Sequence, residues 1–270
     1  MIFDMKLWND VTVMNFSHVY ENQSMLQRES YQWMDCTDLR GTNCYLEEQA
    51  KRQIRKRMEG HTWRGIHMLD SGNYHYMTKL WTDQIHEPFT LVVIDHHTDL
   101  QRSFCEGMLS CGSWVGAMLK ENPYVERVIE LGVGETSLAE RNSLAESKEE
   151  AGVSFFSEEE CKGQGIWRAL SALEFGTPVY LSIDKDVLSE REAATNWDQG
   201  TMSVMELERI LIYIIQKAWV MGVDICGETT MSGPFVEQQR RNEKNNRLNG
   251  ELLKFLEREE QRQYEKVINY

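Results

Sequence analysis

Five short apolar runs recur along this chain, and each ends on an acidic residue or a glycine. Residues 89–94 run into Asp95, 179–183 into Asp184, and 66–69 into Asp70; residues 128–133 end at Gly134, and 222–226 at Gly227 and Glu228. Apolar, β-branched runs of this length, bounded by Gly or Pro, read as strands buried on both faces. Helical patterns lie between them. Residues 47–59 form one, and 203–217 another, opened by a capping box in which Ser203 caps and Glu206 reaches back to the first amides. Strands alternating with helices imply parallel pairing, with crossover helices on both faces. The expected fold is therefore a three-layer α/β/α sandwich with a mainly parallel sheet. Ligands of such sheets bind at the carboxyl ends of the strands, where these polar residues stand.

The rest of the chain adds limits. Its 270 residues hold four prolines and no linker, so one domain spanning 1–270 is expected, with a polar C-terminal helix from about 242. Leu248, Leu252 and Leu256 give that helix an apolar stripe, read as packing on its own domain. The first 60 residues carry no clear assignment; the stretch 35–38 reads as a capped loop. With 29 basic and 43 acidic side chains the net charge is −14, which argues against a nucleic-acid surface. No stretch approaches the ~20 apolar residues of a membrane span. Residues 1–6 lack the basic head and apolar core of a secretion signal, so a cytoplasmic location is expected; a homo-oligomer is allowed. The six cysteines, without Cys-x-x-Cys spacing, indicate neither a disulfide scaffold nor a structural zinc. They are expected to be reduced, with Cys36 and Cys44 the pair most worth checking.

The chemistry concentrates at two strand ends. Asp95, His97 and Asp99 alternate along 95–99 and converge if the segment stays extended or turns gently. Asp184 and Asp186 form a second pair at i and i+2, while Lys185 between them points the opposite way. Carboxylates gathered on one buried face repel unless a cation or proton lies between them. His75 follows a glycine-containing turn near the same sheet edge. Four aspartates and two imidazoles are too many for one open metal site and suit two adjacent ions, with Mn²⁺ matching the donor hardness.

In this order, the segments 72–75, 95–99 and 182–186 resemble the ureohydrolase family of arginases and agmatinases. That family's pattern is Gly-Gly-x-His, then Asp-Ala-His-x-Asp, then Ser-x-Asp-x-Asp. All six metal positions match residue for residue: His75, Asp95, His97, Asp99, Asp184 and Asp186. The resemblance implies the sandwich fold, two Mn²⁺ ions and a metal-bridging hydroxide that attacks a guanidino or linear amidine carbon. Asp99 would then relay the proton, and Glu228 would accept hydrogen bonds from the planar cationic group. The chain departs from the pattern around its substrate residues. Val187 to Glu190 replace an Asp-Pro continuation, Asn196 to Met202 replace a Gly-Thr-Pro stretch, and Cys111 stands where a histidine would. The final Glu motif is displaced to Glu228. Cys111, Ser113, Trp114, Asn196 and Trp197 are expected to form the pocket rim, and His96 to face away from the metals. The expected partner is a small guanidino or amide substrate. Two alternatives stand beside this hydrolase: a metal-retaining binding or regulatory protein, and a deacetylase-like amide hydrolase, which would use one zinc and fewer acidic ligands.

Overall fold

The computed structural model describes residues 10–101, 107–143, 152–163, 165–171, 173–230 and 232–268. Its strands are β1 (Val11–Asn15), β2 (Gln32–Asp35), β3 (Tyr45–Leu46), β4 (Ile66–Met68), β5 (Phe89–Ile94), β6 (Leu109–Ser110), β7 (Val125–Val133), β8 (Val153–Ser157), β9 (Pro178–Asp184) and β10 (Trp219–Cys226). The helices are α1 (Glu48–Met58), α2 (Met77–Thr82), α3 (Trp114–Glu121), α4 (Glu135–Ser143), α5 (Glu158–Lys162), α6 (Gly165–Ser171), α7 (Val204–Lys217) and α8 (Phe235–Ile268). Eight strands form one sheet in the order β2-β1-β4-β10-β9-β5-β7-β8, and every pairing in it is parallel. β3 and β6 make a separate antiparallel ribbon.

Strand alternation divides the core into two layers. Val92, Ile94, Leu181 and Ile183 face one side, against Leu207, Ile210 and Ile214 of α7 and Leu252, Phe255 and Leu256 of α8. Leu91, Val93 and Tyr180 face the other, against Ile54 of α1, Trp81 of α2 and Trp114 of α3. Each buried Leu, Ile or Phe contributes roughly 1.5–3 kcal/mol, so both helix layers are held chiefly by their apolar faces. Helix α7 starts at the capping box of Ser203 and Glu206, as its sequence dictates. Helix α8 begins at Phe235, earlier than position 242, directly after Pro234, a residue suited to a first helical turn. Its leucine stripe packs on the sheet side. Strands β1 and β2 lie in the unassigned first 60 residues and extend the sheet beyond β4. Among the described residues, no helix is long and apolar enough to cross a membrane.

The parity of this alternation positions the chemistry. Tyr180 faces the α1–α3 side, so Ser182 and Asp184 follow it there; Leu91 and Val93 set the same direction for Asp95. β9 pairs directly with β5 and with β10. Three neighbouring strands therefore end together on one side of the sheet.

Candidate metal centre

All six aspartates and histidines singled out by spacing come together at these strand ends. His75 Nδ1 lies 3.1 Å from Asp95 Oδ2, 3.0 Å from Asp99 Oδ2 and 3.7 Å from Asp184 Oδ2. His97 Nδ1 lies 3.0 Å from Asp186 Oδ2 and 3.5 Å from Asp95 Oδ1. Asp95 thus offers one oxygen to each histidine. Two nests of ligand atoms result, His75–Asp95–Asp99 and Asp95–His97–Asp186, each within 4.8 Å. Of the two courses open to segment 95–99, extended or turning, the chain takes the turn. The strand stops at Ile94 and the chain turns, with Asp99 in the left-handed region at φ 47°. Non-glycine residues in that region are held by their surroundings and cluster at functional sites; here the turn aims Asp99 at His75.

A second layer fixes the rings. His75 Nε2 hydrogen-bonds with Ser182 Oγ at 2.8 Å, and Ser182 Oγ with Thr78 Oγ1 at 2.9 Å, which leaves Nδ1 toward the acids. His97 Nε2 lies 3.1 Å from Asp198 Oδ1, turning its Nδ1 inward. Such outer partners orient metal-binding imidazoles. Trp114 Nε1 donates to Asp99, and its ring lies beside that of His75 at 4.8 Å between centroids. His96 turns away, with Nδ1 3.2 Å from Glu158 Oε1, while its backbone N–H donates to Asp186.

The electrostatics show a cluster short of positive charge. Burial, then the charge of Asp95, pushes Asp99 up to about 6. Burial and Asp95 also raise Asp184, and burial with Asp184 and Asp95 raises Asp186 well above the carboxylate range. Burial opposes ionisation of Asp95 too, yet hydrogen bonds from His75 and His97 hold its carboxyl below its ordinary value. Burial disfavours both imidazoliums, but their acceptors win: the Cys226 sulfur and the Asp95 and Asp99 carboxylates raise His75, and Asp186 and Asp95 raise His97. Protons here take the place that cations would fill. Four carboxylates against two dications balance in charge, and the mixed oxygen and imidazole donors suit ions of Mn²⁺ type. The residues present fit such a centre.

The six side chains form the floor of a cavity of about 190 Å³, walled by Cys44, Tyr45, Gln101, Ser110, Cys111 and Trp197. Of the expected rim residues, Cys111 and Trp197 line this cavity. Ser113, Trp114 and Asn196 do not line it. Ser113 hydrogen-bonds back to Ser110, Trp114 is fully buried beneath Asp99, and Asn196 donates to Asn73 Oδ1 at 2.8 Å. Glu228 also departs from its expected place. Gly227, at φ 91°, interrupts the strand after Cys226, Glu228 resumes parallel pairing with Ser71, and its carboxylate is fully buried away from the cavity. It accepts from Lys185, from Gln23 Nε2 at 2.9 Å, and from Asn245 and Asn249 at 2.8 Å each. A carboxylate saturated in this way has no edge left for a substrate. The five described cysteines are free thiols; Cys105 lies outside the described residues.

Several wall residues went unread in the sequence. Cys44 and Tyr45 arrive on the β3–β6 ribbon, whose two-residue strands have no periodicity to detect. Cys226 sits beside Asp184 with Sγ 3.0 Å from its Oδ2. Its signal was available, since it closes an apolar strand on the side of Asp184.

A model of the arginase family matches residues 11–228. An uncharacterised protein of Thermotoga maritima is 29% identical over 218 residues, 81% of this chain and 79% of the relative. Formimidoylglutamase of Bacillus subtilis superposes with a TM-score of 0.63 at 15% identity, covering 94% of this chain and 89% of its own. The agmatine ureohydrolase of Thermoplasma volcanium gives 0.61 at 16% identity, over 98% and 97% of the two chains. A variant of Trypanosoma cruzi formiminoglutamase, solved with Mn²⁺, gives 0.60 at 12% identity over 92% of each chain.

Proposed function

Since the chain belongs to the arginase family, we propose that it is a binuclear Mn²⁺ hydrolase acting on a C–N bond of a guanidino or other linear amidine compound. The observation that carries this reading is the paired nest: two ligand groups share Asp95 on the floor of one cavity. His75, Asp95, Asp99 and Asp184 would hold one ion, and His97, Asp95, Asp184 and Asp186 the other. Bound there, two dications supply a nucleophilic water at neutral pH and polarise the group under attack.

The chain's own residues do the rest. Asp99 lines the cavity beside the ions' positions, where a carboxylate can take up and return a proton during the reaction. Trp114 fixes its orientation by donating to it from below. Tyr45 and Trp197 are large aromatic side chains left partly exposed at the cavity, and their faces would attract a cationic tail. Cys111 and Gln101 offer a neutral polar wall. With Glu228 withdrawn, recognition of the planar group falls to the floor acids and this wall.

The test is elemental analysis of protein purified without chelator, then Mn²⁺ titration and a screen of guanidino, amidine and amide compounds. Two ions per chain and release of urea or ammonia are expected. Release of a carboxylic acid from amides alone would move the protein to amide hydrolysis. Absence of any bound transition metal would remove the hydrolase reading.

A further inference from the structure

The metal floor has a sulfur neighbour that the six-ligand scheme does not use. Ligand atoms of His75, Asp184 and Cys226 all lie within 4.8 Å of one another, a third group beside the two described. Nitrogen or oxygen donors about 2.1 Å, and sulfur about 2.3 Å, from one ion stand roughly 3–4 Å apart. Cys226 Sγ is 3.0 Å from Asp184 Oδ2, and His75 Nδ1 is 3.7 Å from that same oxygen. The thiol is fully buried at the end of β10, and its hydrogen bond goes to a candidate ligand. Cys226 also belongs to the apolar core on this side of the sheet, so it is the contact with Asp184 that sets it apart from a space-filling cysteine. The next residue, Gly227, takes the backbone away so closely that a Cβ there would lie 2.4 Å from Asp184 Oδ1. Strand end, turn and carboxylate together hold the sulfur toward the ion position.

We propose that Cys226 is a thiolate ligand of the ion held by His75 and Asp184. The inference rests on the metal-centre reading above. On binding, the S–H bond breaks, its proton leaves to solvent, and sulfur donates the freed pair to the ion. Thiolate is a soft donor, so this half of the centre favours Zn²⁺ or Co²⁺ over Mn²⁺ more strongly than an all-oxygen and imidazole site does.

The experiment loads full-length protein with Co²⁺ and records its near-ultraviolet and visible absorption. A thiolate-to-cobalt charge-transfer band is expected, absent in Cys226→Ser and retained in Cys44→Ser and Cys111→Ser, whose thiols line the cavity wall. Cys226→Ser should also weaken Co²⁺ binding at least about tenfold, while Mn²⁺ affinity changes much less. Because that variant can misfold, X-ray absorption of Zn²⁺-loaded wild-type protein supplies an independent reading, with about half a sulfur neighbour per zinc expected when both positions are filled. Bound metal with no sulfur in its shell, or a band that survives Cys226→Ser, would overturn the proposal and leave Cys226 a hydrogen-bond donor to Asp184. Failure to bind any of these metals would overturn the metal centre itself, and Cys226 as its ligand with it.

Discussion

Asp184, Lys185 and Asp186 are consecutive, yet they serve two buried regions with opposite charge logic. Asp184 and Asp186 join a cluster of four carboxylates and two imidazoles that, among the described residues, has no Lys or Arg within it. Lys185 turns to the other side and meets Glu228, with Asn249 Oδ1 2.9 Å from its Nζ. That second region carries its own counter-charge. Asn249 Nδ2 donates to Glu228 and to Gln23 Oε1 at 2.7 Å, and Asn245 ties Glu228 to the loop at Ala194. A buried group of charges that neutralises itself and fills its hydrogen bonds acts as structure. One that leaves carboxylates competing for protons calls for a ligand. Adjacent residues thus divide into scaffold and site, and Lys185 lies in the turn between the two aspartates that face the cavity.

The largest test of this division removes a single scaffold charge. Lys185→Met strands the Glu228 carboxylate in the interior, a change that costs about 3–5 kcal/mol. The paired Lys185→Met/Glu228→Gln protein should recover most of that loss, because no buried charge remains alone. Urea unfolding of the three proteins decides it. Equal loss in the single and double variants would show that the pair does not neutralise itself.

Next in size is the response to metal. A ligand present at 100 to 1,000 times its Kd adds about 3–4 kcal/mol to the folded state. Excess Mn²⁺ should therefore raise the unfolding free energy of wild-type protein by about that amount for each ion bound. The Lys185→Met/Glu228→Gln protein should gain a similar increment from its lower base. An increment that vanished with the scaffold pair would merge the two regions into one.

Asp70 lies on the scaffold side and has no cation partner among the described residues. Its carboxylate accepts from the Phe16 and Ser17 amides at 2.9 and 2.8 Å, yet burial pushes it up to about 6. Its folded value exceeds its unfolded value, so the folded state binds more protons between about pH 4 and 6. Stability contributed by this group is greatest below that window and is lost as pH rises through it, by at most about 3 kcal/mol at 1.36 kcal/mol per unit. The difference in stability between wild-type protein and Asp70→Asn should follow that slope. A flat difference from pH 4 to 6.5 would place the carboxyl at its ordinary value.

The two regions also differed in how readable they were. Asp95 and Asp184 were legible because strand alternation is local and one buried face fixes its parity, whereas Asp99 and Asp186 reach the cluster on the turns that follow. The capping box at Ser203 was legible for the same reason. Glu228 was visible as a strand-end residue, but its direction depends on Gly227 at φ 91° and on the charge of Lys185 across the sheet. Lys185 was the overlooked clue, since a lysine placed to point inward requires a buried anion. Strands β1 and β2 owe their state to pairing: β2 is half exposed, and only its register with β1 makes Gln32 to Asp35 a strand. Tyr45 and Cys44 reach the cavity through a ribbon formed with residues more than 60 positions away, which no local pattern encodes.

The smallest expected effect is the sharpest in sign. Asp186 is buried, faces Asp184 and Asp95, and holds its proton well above the ordinary carboxylate range. In the metal-free protein near pH 7, that raised value means the ionised side chain weakens the fold relative to the unfolded chain, where it ionises freely. Asp186→Asn removes one charge from the cluster while keeping an oxygen to accept from the His96 amide, a contact of 3.2 Å in the wild-type protein. Metal-free Asp186→Asn should therefore be more stable than metal-free wild type, by about 0.5–2 kcal/mol, as when a functional residue yields to a stabilising one. With excess Mn²⁺ the order should invert, since the variant has lost a ligand and binds its ion more weakly. Thermal unfolding of both proteins, with chelator and with Mn²⁺, measures the crossing. If Asp186→Asn is less stable than wild type in both conditions, the acids at the floor are structural like Lys185 and Glu228, and the division between the two regions fails.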